Sequence, residues 1–287
     1  MKYFTLELDL DYEKLNLGDG HRAFIECYLP SNFQSFSAGI KHPAMIVCPG
    51  GGYSHLSKRE DEPVALQYLA ANYATFILNY SIDEDAGFPR CLLEALTAIK
   101  TVREHAEEWE IDADKIAMVG FSAGGHLTAT VGAYWNSALA QEALGNTDQF
   151  KPNALVLSYP VITSGCRTHV GSFDCLVGKD ASEDLLEKVS IEKQVTASYP
   201  PTFLWHTSTD AVVPVQNSIL MANALADQGI PFEMHIYPRG PHGLSLSDER
   251  TAKRENGIIK HPEFCEERPR RWLSDSLEFL STIAFKK

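Results

Sequence analysis

The feature that most restricts this chain is an apolar run that breaks into a glycine-flanked serine and then at once into a helix. The stretch is KIAMVGFSAGGHLTATVGA, residues 115–133. Ile116–Val119 is a short continuous apolar run, as expected for a strand buried on both faces. Gly120-Phe121-Ser122-Ala123-Gly124 follows, and the apolar spacing beyond it is helical. A strand, a tight turn carrying a serine, and a helix form the arrangement that lifts a serine hydroxyl clear of a sheet. Glycine is needed on both sides because side chains there would collide where strand and helix cross. The helix N-terminus aims N–H groups and a partial positive charge at the place where negative charge would develop.

The rest of the chain repeats the strand–helix alternation. AMIVC (44–48), ATFILNY (74–80), ALVLS (154–158), TFLWH (202–206) and PFEMHIY (231–237) read as strands. Helices are expected from Asp61-Glu62-Pro63 to about Asn72, over 89–109, after Ser122, over 215–228, and over 269–285. Residues 2–9 and 22–29 alternate around the Gly18-Asp19-Gly20 turn and predict an antiparallel hairpin. This pattern predicts an α/β fold with a mostly parallel central sheet covered by helices on both faces. The rhythm fails at 162–198, where one short helical piece (182–189) stands among glycines, serines and aromatics. We expect a small lid inserted into a single domain spanning 1–287. Residues 246–267 read as charged and irregular.

Composition narrows the partners. With 38 acidic and 25 basic residues in 287, the net charge of −13 opposes nucleic acid and anionic lipid. No apolar run approaches a membrane span. The opening MKYFTLELDLDYEK lacks the apolar core of a signal peptide, so a cytoplasmic protein is expected. Its six cysteines are then read as reduced thiols, although Cys166 and Cys175 are close enough in sequence to pair. No cofactor is called for. No His/Cys/Asp cluster has metal-ligand spacing. A homodimer is compatible with the sequence.

A serine hydroxyl is a weak nucleophile and needs a base, and the base needs an acid to orient it. In open α/β sheets such groups gather at the carboxyl ends of strands. Asp210 follows TFLWH and His242 follows FEMHIY, giving the chain order Ser122, Asp210, His242. Gly50-Gly51-Gly52 follows AMIVC, so the N–H groups of Gly51 and Gly52, with that of Ala123, are candidates for an oxyanion hole. Tyr53 either lines an acyl pocket or packs. His55, in the same loop, either touches substrate or serves the loop. His126 and His206 read as structural.

These residues lie in motifs that resemble the α/β-hydrolase family of bacterial acetyl esterases and sugar-ester hydrolases. That family is related to the hormone-sensitive-lipase and acetyl-xylan/feruloyl esterase groups. The matching pieces are PGGGY (49–53), DEPVA (61–65), LNY (78–80), FP (88–89), GFSAGGHLTA (120–129), FLWHTSTDAVVPVQNS (203–218) and MHIYPRGPHGLSL (234–246). Pro49 departs from the pattern where lipase relatives carry histidine, and Ser81 where many carry arginine. The resemblance implies Ser122 as nucleophile, Asp210 as acid, His242 as base, and Gly51, Gly52 and Ala123 as oxyanion donors. It also implies a short-chain, acetyl-directed carboxylesterase acting on small sugar esters. Phe173, Leu176 and Val177 in the insertion are expected to wall a small pocket, and Ser172, Asp174 and Lys179 to meet sugar hydroxyls. Two other classes stay open. One is a serine peptidase of the prolyl-oligopeptidase type, and the other a non-catalytic ligand receptor on the same fold. Such receptors lack the histidine that stands here at 242.

Overall fold

Strands whose every residue is apolar need cover on both faces, and the central strands obtain it. The computed structural model describes residues 1–145 and 148–286. Among them eight strands form one sheet, in the spatial order 1-2-4-3-5-6-7-8 by position along the chain. The strands are β1 (Lys2–Glu7), β2 (Phe24–Leu29), β3 (His42–Cys48), β4 (Ala74–Asn79), β5 (Ile111–Phe121), β6 (Ala154–Ser158), β7 (Thr202–Thr207) and β8 (Phe232–Tyr237). The expected hairpin is present, with β1 antiparallel to β2 and β2 antiparallel to β4. All pairs from β4 through β3 to β8 are parallel.

Side chains alternate between two cores. Ala44, Ile46, Ile116, Met118, Leu155 and Leu157 face one, while Met45, Val47, Ala117, Val119, Val156 and Trp205 face the other. Helices α2 (Arg90–Glu104), α3 (Ala123–Tyr134), the short α4 (Ala138–Leu144) and α7 (Gln216–Asp227) cover the first core. Helices α1 (Glu62–Ala70) and α8 (Trp272–Phe279) cover the second. Asp61 caps α1 by accepting from the Glu62 N–H, and Pro63 stands in its first turn, as the sequence predicts.

Four details differ from the sequence expectations. The helix expected over 89–109 stops at Glu104, because the chain folds back to give the Ile111 N–H to the Ala106 carbonyl and start β5. The irregular stretch 162–198 holds two helices, α5 (Val170–Val177) and α6 (Glu183–Lys188), not one. The pattern of α5 is obscured by Gly171 and Ser172, and its buried face is only Ser172, Phe173 and Leu176. The C-terminal helix is in three pieces: a 3-10 turn at Pro269–Arg271, α8, and a π-turn at Leu280–Ala284. Before the C-terminal helix, the stretch 246–267, expected to be irregular, contains a two-residue strand pair at Arg254–Glu255 and Ile258–Ile259.

The segment 162–198 is held by specific bonds. The Ile162 and Thr163 N–H groups both donate to Asn217 Oδ1. Tyr134 donates to the Lys188 carbonyl, and the Ile191 N–H to that of Ile162. All six cysteines are free thiols, so Cys166 and Cys175 do not pair. Among the described residues no helix is long and apolar enough to cross a membrane.

Candidate active site

β5 runs straight into α3, and Ser122 is the hinge between them. Its backbone is held at φ 53°, ψ −116°, a conformation L-residues adopt only under constraint. Three bonds impose it: the Ser122 N–H donates to the Ser158 carbonyl, and its own carbonyl accepts from Val161 and His126. The flanking glycines are required by close approach. A Cβ on Gly120 would lie 2.2 Å from the Gly124 carbonyl oxygen, and one on Gly124 would lie 2.2 Å from that of Cys48.

The loops after β7 and β8 bring the two other predicted groups to this hinge. His242 Nε2 lies 2.8 Å from Ser122 Oγ, and His242 Nδ1 lies 2.7 Å from Asp210 Oδ2. A carboxylate can only accept, so Nδ1 carries the proton and Nε2 is left to accept from the serine hydroxyl. The other carboxylate oxygen, Asp210 Oδ1, accepts from the Val212 and Val213 N–H groups at 2.9 Å each. Burial opposes ionisation of Asp210, but bonds from His206 and His242 outweigh it and hold the carboxyl well below its usual range. The acid therefore stays charged behind the histidine.

The glycine loop after β3 faces the same point. Gly51 has φ +128°, and a Cβ there would come within 1.9 Å of the His55 carbonyl oxygen, so only glycine fits. Among the described residues the N–H groups of Gly51, Gly52 and Ala123 donate to no protein acceptor. A cleft of about 740 Å³ opens over Ser122 and His242, and Gly51, Gly52, His55, Arg59, Glu60, His169 and Lys253 are in its walls. Another hollow, of about 630 Å³, lies at Tyr3, Glu26, Tyr28 and Glu62, and its walls hold no serine, cysteine or histidine. It holds carboxylates and Lys58 but no hydroxyl paired with an imidazole.

Of the two readings for Tyr53 packing is the one observed, and Phe173, expected in the wall, is elsewhere. Tyr53 is 1% exposed and gives its hydroxyl to His126 Nδ1 at 2.8 Å, with its ring edge-on to Tyr80. Phe173 is also buried and packs edge-on to the His126 ring, 5.3 Å between centroids. Neither lines the cleft. Both instead enclose His126, whose Nε2–H donates to the Val189 carbonyl at 2.8 Å. Burial pushes this imidazole down to about 4, with the Val189 carbonyl acting weakly the other way. His126 is thus a neutral strut between the glycine loop, α3 and the segment 162–198.

The chain belongs to the BD-FAE family. The family's model matches residues 25–225, most of the chain. The chain is 35% identical over 213 residues to endo-1,4-beta-xylanase B of Butyrivibrio fibrisolvens, covering 73% of this chain and 34% of that one. It is 30% identical over 239 residues to an acetylxylan esterase of Xylanibacter ruminicola, covering 81% and 46%. The chain therefore spans about a third to a half of these relatives' lengths. A solved structure, the acetyl ester-xyloside bifunctional hydrolase of Caldicellulosiruptor lactoaceticus, superposes with a TM-score of 0.83. It is 32% identical and covers 99% of this chain and 97% of its own. The fold of this BD-FAE member is that of an α/β-hydrolase.

Two site residues, Glu60 and Tyr159, escape sequence reasoning, and a third, His206, is buried as expected but also touches the acid. Glu60 is 3% exposed; Oε2 accepts from the Gly50 N–H at 3.0 Å and Oε1 from the Tyr159 hydroxyl at 2.6 Å. Tyr159 accepts in turn from the Ser245 N–H and sets its ring edge-on to His242, 5.1 Å between centroids. Burial, with the Glu60 charge behind it, raises the phenol well above its ordinary value and keeps it a donor. Glu60 and Tyr159 thus join the glycine loop to the histidine loop. His206 is fully buried, with Nδ1 at 2.8 Å from Ser218 Oγ and Nε2 at 3.0 Å from the Val213 carbonyl. Its Nε2 is also 3.3 Å from Asp210 Oδ2, so two imidazoles share one carboxylate. The only sequence signal for His206 is that it ends a strand four residues before Asp210.

Proposed function

We propose that this protein is a serine carboxylesterase that removes short acyl groups, acetyl above all, from small sugar or xylo-oligosaccharide esters. The observation that carries this is the unbroken line from Ser122 Oγ through His242 to Asp210, at 2.8 and 2.7 Å. His242 takes the serine proton as Ser122 Oγ attacks the ester carbonyl. The tetrahedral oxyanion is met by the N–H groups of Gly51, Gly52 and Ala123. His242 then gives its proton to the departing alcohol, and a water, deprotonated by the same imidazole, clears the acyl-enzyme. Asp210 stays ionised throughout and stabilises the imidazolium. The acetylxylan esterase and acetyl ester-xyloside hydrolase among the relatives support the acetyl and sugar parts of the reading. The segment 162–198 brings His169 and Gly171 to the cleft wall and acts as its lid.

The test is kcat/KM across acetyl, butyryl and octanoyl nitrophenyl esters, beside a panel of aminoacyl nitroanilides. Acetyl is expected to lead. An added methylene that does not fit costs roughly 1–3 kcal/mol. An octanoyl ester turned over best would overturn the short-acyl reading, and faster cleavage of the nitroanilides would favour the peptidase.

A further inference from the structure

The cleft of this acidic protein has a cationic wall. The chain carries −13 overall, yet Lys58, Arg59 and Lys253 line the cleft against one carboxylate, Glu60. Lys58 is neutralised by Asp61 at 2.9 Å, and both Glu60 oxygens are occupied by the Gly50 N–H and the Tyr159 hydroxyl. Arg59 and Lys253 are different. Arg59 stands 4.5 Å above the Phe264 ring and Lys253 Nζ 5.1 Å from the same ring. Two like charges are therefore gathered on one aromatic platform. Among the described residues neither has a carboxylate within ion-pair distance.

The Arg59 guanidinium is also short of acceptors. Its Nε donates to the Thr251 carbonyl, while Nη2 is buried with no hydrogen-bond partner. Leaving such a donor unpaired is costly, and a planar guanidinium is shaped for a carboxylate. Its place ties it to the reaction centre: a Cβ built on Gly243, the residue after His242, would lie 3.8 Å from Arg59 Nη1.

We infer that Arg59 and Lys253 form a binding site for a carboxylate carried by the substrate, so that the preferred ester is an anionic one, such as an acylated acidic sugar. This rests on the esterase reading above and adds the charge of the substrate to it. Ester hydrolysis at Ser122 is unchanged; the acid is held at the wall while the carbonyl is presented to the serine.

Two matched pairs of esters test the inference and locate the acid. For an acid on the alcohol side, 4-acetoxybenzoate is compared with 4-acetoxybenzamide. For one on the acyl side, mono-4-nitrophenyl adipate is compared with 4-nitrophenyl hexanoate, both corrected for hydrolysis without enzyme. The anionic member of at least one pair should have the higher kcat/KM, by about tenfold at low salt, since hydrogen bonds to charged groups are among the stronger ones. The preference should sit in KM and shrink as salt rises. The anionic-to-neutral ratio should fall several-fold in Arg59→Gln or Lys253→Gln. Lys253 is exposed, so its variant keeps the test open if Arg59→Gln does not fold. Turnover of the neutral esters with no anionic preference in either pair, or a preference that survives both substitutions, overturns the carboxylate site. Failure to turn over any ester overturns the esterase reading instead.

Discussion

Ser122 and Arg59 both face the cleft, yet they are held in opposite ways. Ser122 is fixed by three backbone hydrogen bonds, two glycines that admit no side chain, and a parallel sheet buried on both faces. Its strained φ costs of order 1–3 kcal/mol and persists because the surroundings over-determine it. Arg59 is fixed by one carbonyl and one ring, and part of its guanidinium is left unsatisfied. In the proposed mechanism the nucleophile is placed by the strand-to-helix crossing, and its base and acid by loops tied to it through close hydrogen bonds. Groups that only choose among substrates are placed by loop contacts that change at small cost to the fold. The same contrast separates His242, anchored from Asp210 and flanked by Tyr159, from His169, which enters the cleft wall from the segment 162–198.

The sharpest way to break this comparison is to remove members of the fixed set. Ser122→Ala and His242→Ala should each lower kcat by about 10⁶ with the thermal midpoint nearly unchanged. Asp210→Asn should cost less, about 10⁴, because the acid orients and stabilises without exchanging a proton itself. Parallel kcat and melting measurements check the order. No loss at Asp210 would place the orienting group elsewhere, and a loss there equal to the other two would contradict a purely orienting role.

Glu60 sharpens the comparison, since it lies at the boundary between the two regions. As a positioning residue it ties the Gly50 N–H to Tyr159. Glu60→Gln keeps the shape but removes the charge and one acceptor. It should lower stability by about 1–3 kcal/mol. It should also lower kcat for acetyl esters more than it raises KM, because the glycine loop and His242 lose their common brace. Denaturant titration and steady-state kinetics read the two effects. A change in KM alone would make Glu60 a rim residue.

The smallest effect concerns His126, on the fixed side. Its folded value of about 4 lies below the ordinary 6.5, so between these values the unfolded chain binds the extra proton. Stability is complete above about pH 6.5, falls as pH drops towards 4, and levels off below that. His126→Gln should be less stable at pH 7 but lose less between pH 7 and pH 5. Urea midpoints at the two pH values check this, and equal losses in both proteins would remove His126 from the acid response.

The fixed region is also the part of the molecule legible in the sequence. Continuous apolar runs, glycines at a crossing, and polar residues just past strand ends are local patterns. Ser122, Asp210, His242 and the glycine loop therefore stood out together. The sequence leaves Tyr53 as either wall or packing and places Phe173 in the wall, because nothing local tells an aromatic that faces a cleft from one that turns inward. A buried histidine three residues into α3 draws both inward through a hydrogen bond and a ring contact. Glu60, Tyr159, Arg59 and Lys253 meet across separations of tens to nearly two hundred residues, and no periodicity records such meetings. Helix α5 was missed because a face of three buried residues leaves almost no repeat to detect.

The most direct test of the central claim is covalent. Wild-type protein is treated with a 4-nitrophenyl alkylphosphonate, which resembles the tetrahedral intermediate, and the digest is read by mass spectrometry. The account predicts about one equivalent of nitrophenolate released and the phosphonyl group on Ser122. It predicts no label in Ser122→Ala and much slower labelling in His242→Ala. A label on another residue, or stoichiometric labelling of folded Ser122→Ala, would contradict it.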